Sequence, residues 1–314
     1  MVSTRAQTTP VTSSRASRAR NRRRRETIAG WLFVAPDVLG LIAFVGVPMV
    51  LALGVSLYNV DGFGNYTFVG LDNFRHMAGD SALWNSVRVS LIYLVVFVPV
   101  TFVLGLGLAL LVRDHFPGVG TVRTLFFLPN VLSLVVIGLL WQFMLVDRQG
   151  VLTHAARPLG LGKVSWLGDP KYALWTYIAI SVWYTMGYQM LLFLAGLKDI
   201  DGEYLEAARV DGASPWERFR YVIWPLLRPT SFFVAVTSIV GAVTGLQAFD
   251  LVYVLTKGGP DNRTSTVVFY IYEQAFQFGN YGYAAAMTAL LVAFLVVVTG
   301  VMFAVTKGGR FHAD

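Results

Sequence analysis

Cysteine is absent from the 314 residues, which excludes disulfides, thiolate metal sites and cysteine nucleophiles together. Histidine is scarce as well: His76, His115, His154 and His312 are scattered, without the clustering that a metal centre needs. Charged residues make up only 14% against 55% hydrophobic, too little polar surface to wrap a soluble core. No GxxxxGK[ST] sequence occurs, so the chain cannot hydrolyse ATP by way of that phosphate cradle. A His-containing triad and motif-paired carboxylates are also lacking, so neither catalysis nor a cofactor is expected.

What the chain has instead is long apolar runs. Crossing the hydrocarbon takes about 20 mostly apolar residues, and a backbone in lipid can satisfy its polar groups only as a helix or a closed barrel. Six stretches qualify, at about 28–57, 84–112, 122–146, 172–197, 230–255 and 283–306, and none alternates with period two as a barrel strand would. The expected fold class is all-α, a polytopic bundle of six transmembrane helices. A basic tail at 1–27, expected to be disordered, precedes a membrane domain at 28–306, and a short tail follows at 307–314.

The net charge of +7 suggests nucleic acid until its location is considered. Eight arginines fall in the first 25 residues, with Arg22 to Arg25 directly ahead of the first apolar run. That run is far longer than the core of a cleaved signal, and the other charges form no basic face, so the cluster reads as a cytoplasmic anchor and no nucleic-acid partner is expected. With the amino terminus inside, seventeen of the 25 Lys and Arg residues lie on the inner side. Both termini are therefore expected in the cytoplasm. Pro36, Pro48, Pro99 and Pro129 fall within spans, where neighbouring helices can support kinks.

Between the fourth and fifth spans, 198–228 reads as helix, sharp turn and helix. Asp201 can cap the first helix, Glu203 and Glu206 suit its positive end, and Gly212 suits the left-handed position that stops it. Ser214, Pro215 and Glu217 supply the N-cap, first-turn proline and capping-box acid of the second, which Pro225 is expected to end. Ala207 and Ala208 keep one side of the first helix low, so a partner groove could approach while Glu206 offers a carboxylate. Basic and acidic residues nearly balance along this loop, which favours a protein socket over lipid headgroups. A solvated amphipathic connector is the plainer alternative.

The run Glu206-Ala207-Ala208-x3-Gly212-x9-Val222-x-Trp224-Pro225 resembles the EAA loop of binding-protein-dependent ABC permeases, with valine and tryptophan in place of the usual isoleucine and leucine. Phe68-Val-Gly-Leu-Asp-Asn-Phe74, Arg123 with Phe127-Leu-Pro129, and Phe249-Asp250 through Thr256-x-Gly258-Gly-Pro260 resemble the first member of the permease pair in sugar-type importers. The likeness covers about 36–303. It implies the type I importer fold and the cytoplasmic membrane of a bacterium or archaeon. It also implies a heterodimer with a second permease, a dimer of cytoplasmic ATPase subunits and an extracytoplasmic solute-binding protein. The coupling role falls on Glu206, Ala207, Ala208, Asp211 and Gly212.

For the solute, the fourth span carries Ser181, Tyr184, Thr185 and Tyr188 at i, i+3, i+4 and i+7, placing hydroxyls and aromatic rings on one face. Sugars expose hydroxyls and apolar C–H faces, and this stripe offers partners for both, though such residues can also simply hold helices together. In the fifth span Thr244 and Gln247 are candidates for the passage, while Gly241-x3-Gly245 fits a helix-packing pattern. The resemblance implies that the spans on either side of the loop contribute solute contacts. A disaccharide, a longer oligosaccharide, an amino sugar or a glycerol-phosphate-type compound all fit these residues. Asp37 and Asp250 are the main ionisable residues within spans. The resemblance makes Asp250 a support of the outer loop, and so few buried charges argue against the rival reading of an ion-coupled secondary transporter or a channel.

Overall fold

A computed structural model describes residues 12–60, 62, 64–114, 116–147, 149–155, 158, 164–245 and 247–305, with backbone alone over 12–25. Residues 1–11 of the expected amino-terminal tail and the whole of the expected tail at 307–314 lie outside the described residues. The chain divides into two units, the first ending at Val55 and the second starting at Ser56.

In the first unit, helix α1 (Thr12–Leu41) leads through a π-helical turn (Ile42–Gly46) into α2 (Val47–Val55). Residues 12–27 are thus helical where a disordered tail was expected. The run from Thr12 to Thr27 contains neither glycine nor proline and is rich in arginine, a good helix former. Pro48 cannot donate to the turn before it, and the wide π-turn lies just where that lost bond has to be absorbed. The apolar part, Glu26–Val55, is 30 residues long, enough to cross a bilayer. Trp31, Phe33 and Phe44 are among its exposed apolar side chains, as lipid-facing surface requires.

The second unit opens with a two-stranded hairpin, β1 (Tyr58–Val60) antiparallel to β2 (Tyr66–Phe68), the one sheet among the described residues. Asn73 on α3 (Asp72–Gly79) donates to the Ser56 and Tyr58 carbonyls and ties the Phe68–Phe74 motif to this hairpin. Asp80 then caps α4 (Ser81–Leu111), accepting from the amides of Ala82 and Leu83.

The expected third span is creased. Helices α5 (Val119–Val131) and α6 (Leu134–Leu145) meet at 96°, so the described residues hold five candidate spans, or six when this bent pair counts as one. Leu132 and Ser133 are extended between them, and the Tyr184 hydroxyl lies 3.4 Å from each of the Asn130 and Leu132 carbonyl oxygens freed by the break. Hydropathy alone reads this stretch as straight because both halves are apolar.

After α7 (Val151–Ala155) comes α8 (Ala173–Lys198), the most buried span. Against α4 it forms an aromatic stack in which Tyr93 lies 4.9 Å from Phe97 and 4.8 Å from Tyr177. Against α5 the approach is backbone to backbone: a Cβ on Gly187 would collide with the Phe126 carbonyl.

The connecting loop holds α9 (Gly202–Val210) and α10 (Pro215–Arg218), then a π-turn (Phe219–Ile223) and α11 (Trp224–Leu226), and runs on into α12 (Arg228–Thr244). Pro225 therefore does not end the second helix. The π-turn before it widens the backbone, and bonds from Leu227 to Ile223 and from Ser231 to Leu227 carry the ladder onward. A further π-turn (Gln247–Leu251) and α13 (Val252–Leu255) complete that span, α14 (Val267–Tyr272) follows, and α15 (Tyr281–Val305) is the last. Thr256 and Thr264 share a 2.6 Å hydroxyl contact, and Thr264 donates to the Gly259 carbonyl, which folds the Thr256–Pro260 motif into a tight loop.

Candidate solute passage and coupling loop

A cavity of about 200 Å³ lies between α4, the crease, α8 and α12. Thr185, Tyr188 and Gln247, three of the side chains expected to meet solute, line it together. The Gln247 amide donates to the Thr185 hydroxyl at 3.2 Å, and Tyr177 donates to the Gln247 carbonyl at 3.1 Å, so the π-turn is fastened to α8.

The other candidates stand elsewhere. Ser181 is buried and donates to the Tyr177 carbonyl one turn back. Tyr184 is spent on the crease, and Thr244 donates to its own helix at Val240 on an exposed face. Gly241 is not a packing glycine: a Cβ there would meet nothing within 4 Å, and the residue opens onto the cavity. Helix contact falls on α8 instead, which brings its own small residue, Gly187, to α5. Gly245 closes α12, where a Cβ would strike the Gly241 carbonyl.

Several lining residues went unread in the sequence: Asn130, Gln189, Thr237 and Ser238. A signal was present, since Gln189 extends the row 181, 185, 189 by one more turn and Thr237 lies one turn before Gly241. Gln189 is buried and donates to the Ser238 hydroxyl at 2.7 Å, whereas its equally buried Oε1 has no partner among the described residues. A buried acceptor left in this state costs roughly 1–3 kcal/mol. No lining residue is ionisable below the tyrosine range; the walls are amides, hydroxyls and the rings of Phe97 and Tyr188.

At the end of α8 the loop at 199–228 takes the shape its caps dictate. Asp201 accepts from the Glu203 amide at 3.1 Å. Gly212 has a φ of 78°, and the Ala213 amide reaches back to the Ala208 carbonyl at 2.9 Å, closing α9 in a Schellman turn. The capping box of α10 is complete, with the Ser214 amide donating to Glu217 at 2.7 Å and the Glu217 amide donating to Ser214 at 3.3 Å. Those bonds to Ser214 hold the Glu217 carboxyl below its usual range. Glu206, Ala207, Asp211 and Gly212 are exposed and Ala208 is half-buried, while Val210 is 88% exposed, an apolar surface that a partner would cover.

At the hairpin end, Asp80 accepts from the hydroxyls of Tyr283 at 2.6 Å and Tyr270 at 2.8 Å. Burial raises its affinity for a proton, but these two bonds and the Leu83 and Ala82 amides outweigh it and leave the carboxyl below its ordinary value.

A creased span, a capped elbow and uncharged walls beside them define a membrane transport subunit, and comparison with known proteins gives its family. Residues 101–308 match the binding-protein-dependent transport system inner membrane component, and the chain belongs to that family. The probable ABC transporter permease protein YesP of Bacillus subtilis (strain 168) is 34% identical, over 89% of this chain and 91% of that protein. The lactose transport system permease protein LacF of Rhizobium radiobacter is also 34% identical, over 88% and 93%. The fold matches a crystal structure of a bacterial alginate ABC transporter in complex with alginate pentasaccharide-bound periplasmic protein. That match has a TM-score of 0.79 at 20% identity, and covers 90% of this chain and 96% of the other. The chain is thus a multi-pass membrane permease subunit of an ABC importer.

Proposed function

We propose that this chain forms one half of the passage for a neutral sugar or short oligosaccharide, with ATP hydrolysed by separate subunits. The observation that carries the reading is the cavity itself. It lies among α4, α8 and α12, and its walls are uncharged hydroxyls and amides beside two aromatic rings. A sugar's hydroxyls and apolar C–H faces find partners in both. A glycerol-phosphate-type anion would find no cation on these walls, so the neutral reading is preferred.

In this reading Glu206, Ala207, Ala208, Asp211 and Gly212 dock into the ATPase subunit. The unbroken helical path from α10 to α12 then passes its movement to Ser238 and Gly241 at the cavity. The second permease completes the passage, an extracytoplasmic solute-binding protein delivers the sugar, and both termini face the cytoplasm. The test is uptake by the reconstituted assembly. Tyr188→Ala is expected to lower uptake and solute-stimulated ATP hydrolysis at least tenfold while all subunits copurify. Undiminished uptake by that variant, or uptake without an ATPase subunit, would overturn the proposal.

A further inference from the structure

A second, larger cavity of about 750 Å³ lies at the opposite end of α4 from Asp80, where that helix meets α9, α10 and α11. Three guanidinium groups reach it from three elements: Arg113 just beyond α4, Arg209 on α9 and Arg218 on α10. Asp114 is the one carboxylate on its walls. Although acidic and basic residues nearly balance along the loop, the fold separates them: Glu203, Glu206, Asp211 and Glu217 are all left out of this lining. Among the described residues none of the three arginines forms an ion pair. The Nε of Arg218 is buried without a hydrogen-bond partner.

The rest of the cavity is apolar. Val103, Leu106 and Leu110 form a strip along α4, and Val103 is 65% exposed. Trp216 and Trp224 also line it, the side chains that favour the boundary between hydrocarbon and water. A 31-residue helix rises about 46 Å, so the two ends of α4 lie at opposite faces of a bilayer, at headgroup depth. A small free anion would satisfy the arginines and leave the apolar strip uncovered. A phospholipid satisfies both, with phosphate oxygens on the guanidinium forks and an acyl chain along α4.

We propose that this cavity is a binding site for an anionic phospholipid, which braces the coupling loop against α4. Assigning it to the cytoplasmic leaflet rests on the orientation proposed above; its ligand chemistry does not.

The test uses the assembled transporter in lipid nanodiscs and reads tryptophan quenching by lipids with brominated acyl chains, which requires neither transport nor ATP. Brominated phosphatidylglycerol is expected to quench more than brominated phosphatidylcholine at equal fraction. Trp216→Phe with Trp224→Phe should remove that excess, as should Arg113→Gln with Arg218→Gln. Arg113→Gln alone should weaken the phosphatidylglycerol preference on the order of fivefold. Arg113→Lys with Arg218→Lys should keep the excess, which leaves the proposal open to refutation even if the glutamine pair fails to assemble. Equal quenching by the two lipids, an excess that survives the glutamine pair or the loss of both tryptophans, or an excess lost in the lysine pair would each overturn it. Competition by inorganic phosphate in the same discs would overturn the lipid assignment in favour of a free anion.

Discussion

Gly187→Ala should destabilise the protein far more than a single methyl group suggests. The new Cβ would face the Phe126 carbonyl oxygen, carbonyl carbon and the Phe127 amide nitrogen, all inside the 3.0 Å that real Cβ atoms essentially never cross and the first two well inside it. Because the obstacle is backbone, no rotamer change relieves it, and α5 has to move away from α8 as a body. Overpacking of this kind costs about 1–3 kcal/mol, and a backbone clash belongs at the upper end. For a unit of this size about 3 kcal/mol corresponds to a melting temperature roughly 6–12 °C lower. The assay is thermal unfolding of the purified assembly, with Gly241→Ala as the matched control. A Cβ at Gly241 meets nothing within 4 Å, so that variant should melt within about 2 °C of the parent. If the two alanine variants melt together, the close approach of α5 to α8 is not what holds the crease in place.

Gly241→Val should leave assembly intact while narrowing the 200 Å³ cavity, and uptake by proteoliposomes is expected to fall at least tenfold; normal uptake would remove Gly241 from the passage. Glu206→Ala or Gly212→Pro should leave the spans inserted yet abolish uptake, because docking is lost; a variant that still copurifies with the ATPase subunit and transports normally would contradict the coupling assignment. Asp80 has a depressed folded-state value, so its contribution to stability is present above the ordinary aspartate value near 3.9 and is lost as pH falls through the folded value. Melting temperature should therefore drop below about pH 4, and Asp80→Asn should flatten that dependence; an unchanged acid limb would show that the two tyrosine bonds carry no linked stability.

What could be read in advance followed the range of the forces involved. Lipid imposes its demand on each span separately, so hydropathy located them with small errors at the ends. Capping is also local, and Asp201, Gly212, Ser214 and Glu217 all take the expected conformations. Pro225 was misjudged because the π-turn that accommodates it is not encoded by any single residue type. The crease escaped notice for another reason: Pro129 marks a weak point, but the right angle depends on Tyr184, more than fifty residues further along. The cavity was half legible. The 181–188 row contains two residues that line the cavity, but only tertiary packing decides that Thr185 and Tyr188 meet open space while Ser181 and Tyr184 meet protein.

The right angle between α5 and α6 also bears on how the chain can be made. Neither half, at 13 and 12 residues, is long enough to cross the hydrocarbon by itself, and bare carbonyls at the elbow are not tolerated in lipid. The tyrosine that covers those carbonyls is synthesised after them. In lipid those carbonyls are covered only once α8 lies alongside, which makes this wall of the cavity one of the last parts of the bundle to take shape.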